Sequence, residues 1–139
     1  MTKMKDEKLI LELPSERKSI NEVEPALSGF RKKYNIRDDV YYNILIAFTE
    51  AVNNAIIHGN KLNVKKKVSF SIEKNLDELL ICVSDEGLGF NPQQVADPRH
   101  PENILKDNGR GIFLIKELSS SVEFNISEKG SVIIMHFKI

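Results

Sequence analysis

The 139 residues, 41% hydrophobic and 29% charged, suffice for one core and not for two, so a single globular domain spanning residues 1–139 is expected. With 20 Lys+Arg against 20 Asp+Glu and only the short run Lys65-Lys66-Lys67 of one sign, the chain's overall field gives no hold on nucleic acid or anionic lipid, so no direct nucleic-acid or membrane partner is expected. The lone Cys82 permits neither an intramolecular disulfide nor a cysteine-based zinc site, no apolar leader follows Met1 to Lys8, and no stretch nears the roughly 18 apolar residues of a membrane span, so the expected location is cytoplasmic.

Leu9, Leu11 and Leu13 alternate with Ile10 and Glu12, the period of a strand, and Pro14-Ser15 reads as a stop followed by a helix start. The spacing of Ile20, Val23, Leu27 and Phe30 predicts a helix from Ser15 to about Lys33, with Arg17, Asn21 and Glu24 on its polar side as a surface a partner could use. Asp38 or Asp39 is placed to cap a longer helix. Its apolar face (Val40, Tyr41, Ile44, Leu45, Phe48, Ala51, Val52, Ala55, Ile56) continues to His58, where Gly59 is expected to form a left-handed cap. Val68, Phe70 and Ile72 predict a strand, Asn75 to Glu78 a turn, and Leu79 to Ser84 a second, more continuously apolar strand carrying Cys82 as a buried small hydrophobe.

From Asp85 to Gly109 periodicity gives way to a long loop, and a loop of that length in a small domain points to function. Ile112, Leu114, Ile115 and Leu118 predict a short helix. Val122-Phe124-Ile126 and Ile133-Met135-Phe137 predict strands joined around Lys129-Gly130, with His136 on the exposed side. The order βααββ, loop, αββ implies an α+β fold, a two-layer sandwich with helices on one face of a mostly antiparallel sheet.

Three constellations could carry chemistry. Glu50, Asn54 and His58 fall at i, i+4 and i+8 of the long helix and would share one face; a carboxylate there can take a proton, and an Asn carbonyl oxygen suits Mg²⁺ rather than zinc. A plain solvated face has the same pattern. Asp85-Glu86-Gly87-Leu88-Gly89-Phe90 places an acid at a strand's end, able to accept from an exocyclic amine, with glycines that let backbone approach a ligand; alone it also fits an ordinary turn. Asn108-Gly109-Arg110-Gly111-Ile112 opens a helix whose free amides, with the charge of Arg110, suit phosphate, although neither the P-loop nor the Rossmann pattern is present. Together the three imply ATP with Mg²⁺. His58, His100 and His136 lack the spacing of a zinc site.

Thr49 to Gly59, Asp85 to Phe90 and Gly109 to Ile112 resemble, in order and spacing, the N, G1 and G2 boxes of the histidine-kinase-like (GHKL, Bergerat-fold) ATPase superfamily. Within it the first box and the short chain are most similar to the bacterial anti-sigma-factor serine/threonine kinases, over residues 5 to 139. The resemblance implies that Glu50 is the general base, that Asn54 binds Mg²⁺ and that Asp85 takes the adenine amine. By the same resemblance Gly87 and Gly89 shape the adenine pocket, Gly109, Arg110 and Gly111 lie near the phosphates, and His58 lies in the nucleotide site. Gly130-Ser131 stands where the family commonly has Gly-Thr, so Ser131 would supply the hydroxyl near adenine; the lid would span residues 91 to 108, with the γ-phosphate cation open between Arg99, Lys106 and Arg110.

The implied activity is transfer of the γ-phosphoryl group to a Ser or Thr of a STAS-type antagonist, in a switch where that antagonist and a sigma factor compete for the kinase; the resemblance also implies a homodimer through the sheet edge near the first strand and helix. A non-catalytic, nucleotide-dependent protein-binding module is the competing expectation, and Glu50 argues against it, since binding alone needs no general base. The ATP-binding half of a histidine kinase is the other. The chain begins at the first strand of the ATPase fold, so the dimerisation helices and phospho-accepting His of that class are not expected.

Overall fold

The computed structural model describes residues 8–87 and 107–139. Strand β1 (Lys8–Pro14) leads through a 3-10 segment (Arg17–Glu22) into α1 (Val23–Tyr34) and α2 (Asp38–Asn54), which runs on as a π-helical turn (Ala55–Gly59). Strands β2 (Lys67–Asn75) and β3 (Glu78–Asp85), helix α3 (Asp107–Leu118), and strands β4 (Ser121–Ser127) and β5 (Gly130–Lys138) follow. All neighbours in the sheet are antiparallel, in the order β1-β2-β3-β5-β4. This is the expected α+β sandwich. Among the described residues no helix is long and apolar enough to cross a membrane.

Alternation decides which sheet face is covered. Val68, Phe70 and Ile72 on β2, Leu79, Ile81 and Val83 on β3, and Ile133, Met135 and Phe137 on β5 are buried. The residues between them, such as Ser69, Ser71, Cys82, Ser84 and Ile134, are only half-buried on the opposite face. Cys82 is therefore not the buried core residue its apolar strand suggested. Ile44, Phe48, Ala51 and Val52 of α2 and Ile112 and Ile115 of α3 complete the core. Phe48 meets Phe70 edge-on, ring centroids 4.8 Å apart, which locks α2 onto the sheet. Each such fully buried side chain contributes about 1.5–3 kcal/mol, so the helix that carries the site is held rigidly.

The helices depart from expectation at their ends. A continuous helix from Ser15 is interrupted because Pro25 lacks the N–H for Asn21 and its ring would strike that carbonyl; the chain runs as a 3-10 segment to Glu22 and places Pro25 in the first turn of α1, where it is tolerated. Neither Asp38 nor Asp39 caps α2. Both sit in its first turn, paired with Arg31 and Arg37. Gly59 is not in a left-handed cap: it closes the π turn, and the left-handed residues are Lys61 and Leu62, at φ 53° and 61°. Helix α3 begins five residues before Ile112, so Gly109, Arg110 and Gly111 lie within it rather than ahead of it.

Candidate functional site

Two groups of side chains are set along the C-terminal part of α2 and its π turn, which reaches the end of β3 through Gly59. The first is built around Asp85, the last residue of β3. Register sets Ser131 of β5 opposite it, and the Ser131 hydroxyl donates to Asp85 Oδ2 at 2.7 Å while the Gly87 N–H donates to Oδ1 at 2.9 Å. A carboxylate accepts about four hydrogen bonds. These two leave capacity for an outside donor, and Asp85 is only half-buried.

The glycines here answer to steric demand. A Cβ on Gly59 would stand 2.4 Å from the Asp85 carboxyl carbon, and one on Gly87 would stand 1.8 Å from the Gly59 carbonyl oxygen. Gly130, at φ +138°, would bring a Cβ within 1.9 Å of the Asp85 carbonyl oxygen, in a conformation that side chains rarely adopt. Three backbone segments are thus pressed together around Asp85, one against its carboxylate and one against its main-chain carbonyl, and a side chain at any of the three glycines would force them apart.

The second group lies one helical turn and more back along α2. Glu50 and Asn54 share a row of the helix, and Gly111 of α3 packs against both: its Cβ would be 2.8 Å from Glu50 Oε1, 3.4 Å from Asn54 Oδ1 and 3.5 Å from Asn54 Nδ2. Asn54 is 6% exposed, and its Nδ2 has no hydrogen-bond partner among the described residues. A buried amide with one end unmatched is costly unless something else completes it. Because the two ends of an amide interchange by a flip, the open position can present the carbonyl oxygen. That donor beside a carboxylate fits a hard cation such as Mg²⁺.

His58 does not join that row. The π turn widens the helix after Asn54, rotating the following residues away from the α-helical i+4 position, and His58 is exposed. Gly109 is buried and Arg110 exposed in the first turns of α3. Gly89, Arg99 and Lys106 lie outside the described residues, as does most of the span assigned to the lid.

Residues 13–137 match the family of histidine kinase-like ATPase domains. The chain belongs to that family. It is 30% identical over 139 residues to the anti-sigma F factor of Clostridium perfringens strain 13, covering 96% of this chain and 98% of the relative. It is 24% identical over 131 residues to the serine-protein kinase RsbW of Oceanobacillus iheyensis, covering 90% and 82%. The SiaB-SiaC complex structure from Pseudomonas aeruginosa contains a chain that shares the fold with a TM-score of 0.69, 14% identity and coverage of 99% and 93%. The resemblance to anti-sigma-factor kinases read from the three boxes therefore extends to whole relatives of that name.

One residue of this histidine kinase-like domain was not legible in its motifs. Asn60, 2% exposed, donates from Nδ2 to Ser15 Oγ at 2.8 Å and to the Lys67 carbonyl at 3.0 Å, and its Oδ1 accepts from the Glu86 N–H at 2.8 Å. In sequence it reads as a turn residue between a glycine and a lysine-rich stretch. Nothing local announces its burial.

Proposed function

We propose that this single-domain protein is an ATP- and Mg²⁺-dependent serine/threonine kinase of the cytoplasm that also acts as an anti-sigma factor and phosphorylates a STAS-type antagonist. The observation that carries the reading is that Glu50, Asn54 and Gly111 meet on the helix whose following π turn is pressed, through Gly59, against Asp85, in a domain whose relatives are named serine-protein kinases and anti-sigma factors.

In this reading Asp85 accepts a hydrogen bond from the adenine amine, held at the right angle by the Ser131 hydroxyl and the Gly87 N–H. The first turns of α3, which carry Gly109, Arg110 and Gly111, face the triphosphate, where the free amides of the opening turn and the Arg110 guanidinium stabilise negative charge. Asn54 would hold Mg²⁺, which when bound offsets charge on the phosphate oxygens. Glu50 accepts the proton of the acceptor hydroxyl as that oxygen attacks the γ-phosphorus in line. The bond from phosphorus to the bridging oxygen of ADP breaks, the phosphorylated side chain forms, ADP leaves, and Glu50 returns its proton to solvent. Little covalent chemistry falls to the protein, so position is what matters. The unphosphorylated antagonist displaces a bound sigma factor, and phosphorylation reverses the exchange. The edge of β1 beside α1 is the surface assigned to a homodimer by the family resemblance; among the described strands β1, like β4 at the other end, has a neighbour on one side only.

The test is transfer of labelled γ-phosphate from ATP to a STAS-type antagonist, with phosphoserine or phosphothreonine identified in the product. Glu50→Gln should lower transfer by about 10²–10⁴-fold while ATP affinity stays within about threefold. An ATP-bound wild type that transfers nothing to any antagonist encoded near its gene would overturn the kinase reading.

A further inference from the structure

Asn60 plays no part in the mechanism above, yet its geometry connects it to base recognition. Its own N–H closes the π turn on the Ala55 carbonyl at 2.8 Å, so the residue is fixed by backbone before its side chain is considered. The amide then reaches three other segments. Nδ2 holds Ser15 at the end of β1 and the Lys67 carbonyl at the start of β2, and Oδ1 holds the Glu86 N–H just past β3. Ser15 is 0% exposed and its hydroxyl donates onward to the Lys66 carbonyl at 2.6 Å. The Lys67 N–H returns to the Glu86 carboxylate. Removing one member of a buried network of this kind strands the others, so it holds a single arrangement.

The arrangement it holds is that of Asp85. The Glu86 N–H belongs to the peptide that joins Asp85 to Glu86, and the next N–H, that of Gly87, is one of the two donors on the Asp85 carboxylate. Asn60 also follows directly on Gly59, the residue pressed against that carboxylate and against Gly87. Contacts as close as these open when nothing draws the two segments together. We propose that Asn60 is a positioning residue for base selection: its amide clamps the Asp85-Glu86-Gly87 turn to the π turn and thereby aims Asp85 at the amine of the purine. The proposal rests on the reading that Asp85 accepts from adenine.

The experiment is calorimetric titration of the full chain with ATP and with inosine 5′-triphosphate, in which a carbonyl replaces the 6-amino group. A purely structural staple would weaken both nucleotides alike, whereas aim affects only the one that offers the amine. Wild type should prefer ATP by about 10–100-fold, the range set by one hydrogen bond made or left unpaired in a buried site. Asn60→Ala should cut that preference by about tenfold with inosine triphosphate affinity changed by less than about threefold, and Ser15→Ala, which leaves the Glu86 and Lys67 bonds but removes one of the two acceptors of Nδ2, should cut it by about threefold. A thermal melt reports whether each variant is folded, and Ser15→Ala decides alone if Asn60→Ala is not. A folded variant that keeps the wild-type preference, or weakens both nucleotides equally, overturns the role of Asn60. A wild type that does not discriminate overturns the reading of Asp85 itself, and with it this proposal.

Discussion

Replacing Gly111 with alanine should separate stability from catalysis. The added Cβ would stand 2.8 Å from Glu50 Oε1, whereas ordinary contact begins at 3.4 Å, so the carboxylate must retreat by more than about half an ångström. The atom struck is the end of a flexible side chain, which yields at little cost to the fold. Both Asn54 amide atoms would already be at ordinary contact distance and need not move. Alanine also favours a helix interior over glycine by about 0.8–1.0 kcal/mol, which for a domain of this size raises the melting temperature by up to about 4 °C. A misplacement of about 1 Å can cost 10²-fold in rate, so transfer to the antagonist should fall by about 10–100-fold, with ATP affinity within about threefold of wild type. Initial rates with labelled ATP, alongside a thermal melt and an ATP titration, measure all three. A stable variant with the wild-type transfer rate would refute the claim that catalysis depends on where Glu50 lies against α3.

Gly87→Ala meets backbone rather than a side-chain tip, since its Cβ would fall 1.8 Å from the Gly59 carbonyl oxygen. Unlike Gly111→Ala, it should lower stability by about 1–3 kcal/mol in urea denaturation and abolish detectable ATP binding together. On the far side of the sheet His136 lies between Glu78 (Nδ1 to Oε1, 3.1 Å) and Glu123 (Nε2 to Oε2, 3.3 Å). Hydrogen bonding to Glu78, the largest effect, outweighs burial, which lowers the value, and with the further contribution of Glu123 raises its imidazole above the ordinary 6.5. A raised folded value means that the stabilisation is full below pH 6.5 and is lost as pH rises through the folded value. The stability difference between wild type and His136→Asn, from urea denaturation at a series of pH values, should therefore shrink as pH rises above 6.5; a difference that grows would refute it.

The strands were legible because half-burial writes itself as alternation. The alternation alone puts Val68-Phe70-Ile72 and Ile133-Met135-Phe137 on the covered face, and Phe48 of α2 meets Phe70 as an amphipathic helix on such a sheet should. What escaped was decided by hydrogen-bond geometry or by close approach. The π turn places His58 off the row of Glu50 and Asn54, and no residue type marks where i→i+5 bonding begins. At Gly59 the conformational freedom of a glycine can be read from sequence, while the carboxylate pressed against it cannot. Pro25 did carry a readable signal against a helix running unbroken from Ser15, in its missing N–H and its clash with Asn21. Asn60 and Ser15 draw their importance from partners 26 and 45 residues away, a separation that periodicity does not reach.

The central claim is that Asp85 and Asn54 belong to one nucleotide site, and the most direct test is calorimetric titration of Mg-ATP into the wild type, Asp85→Asn and Asn54→Ala. The expected result is binding by wild type, a loss of about 10–100-fold with Asp85→Asn, and loss of the Mg²⁺ dependence of binding with Asn54→Ala. A folded wild type that binds no ATP, or an Asp85→Asn variant that binds it equally well, would contradict the claim.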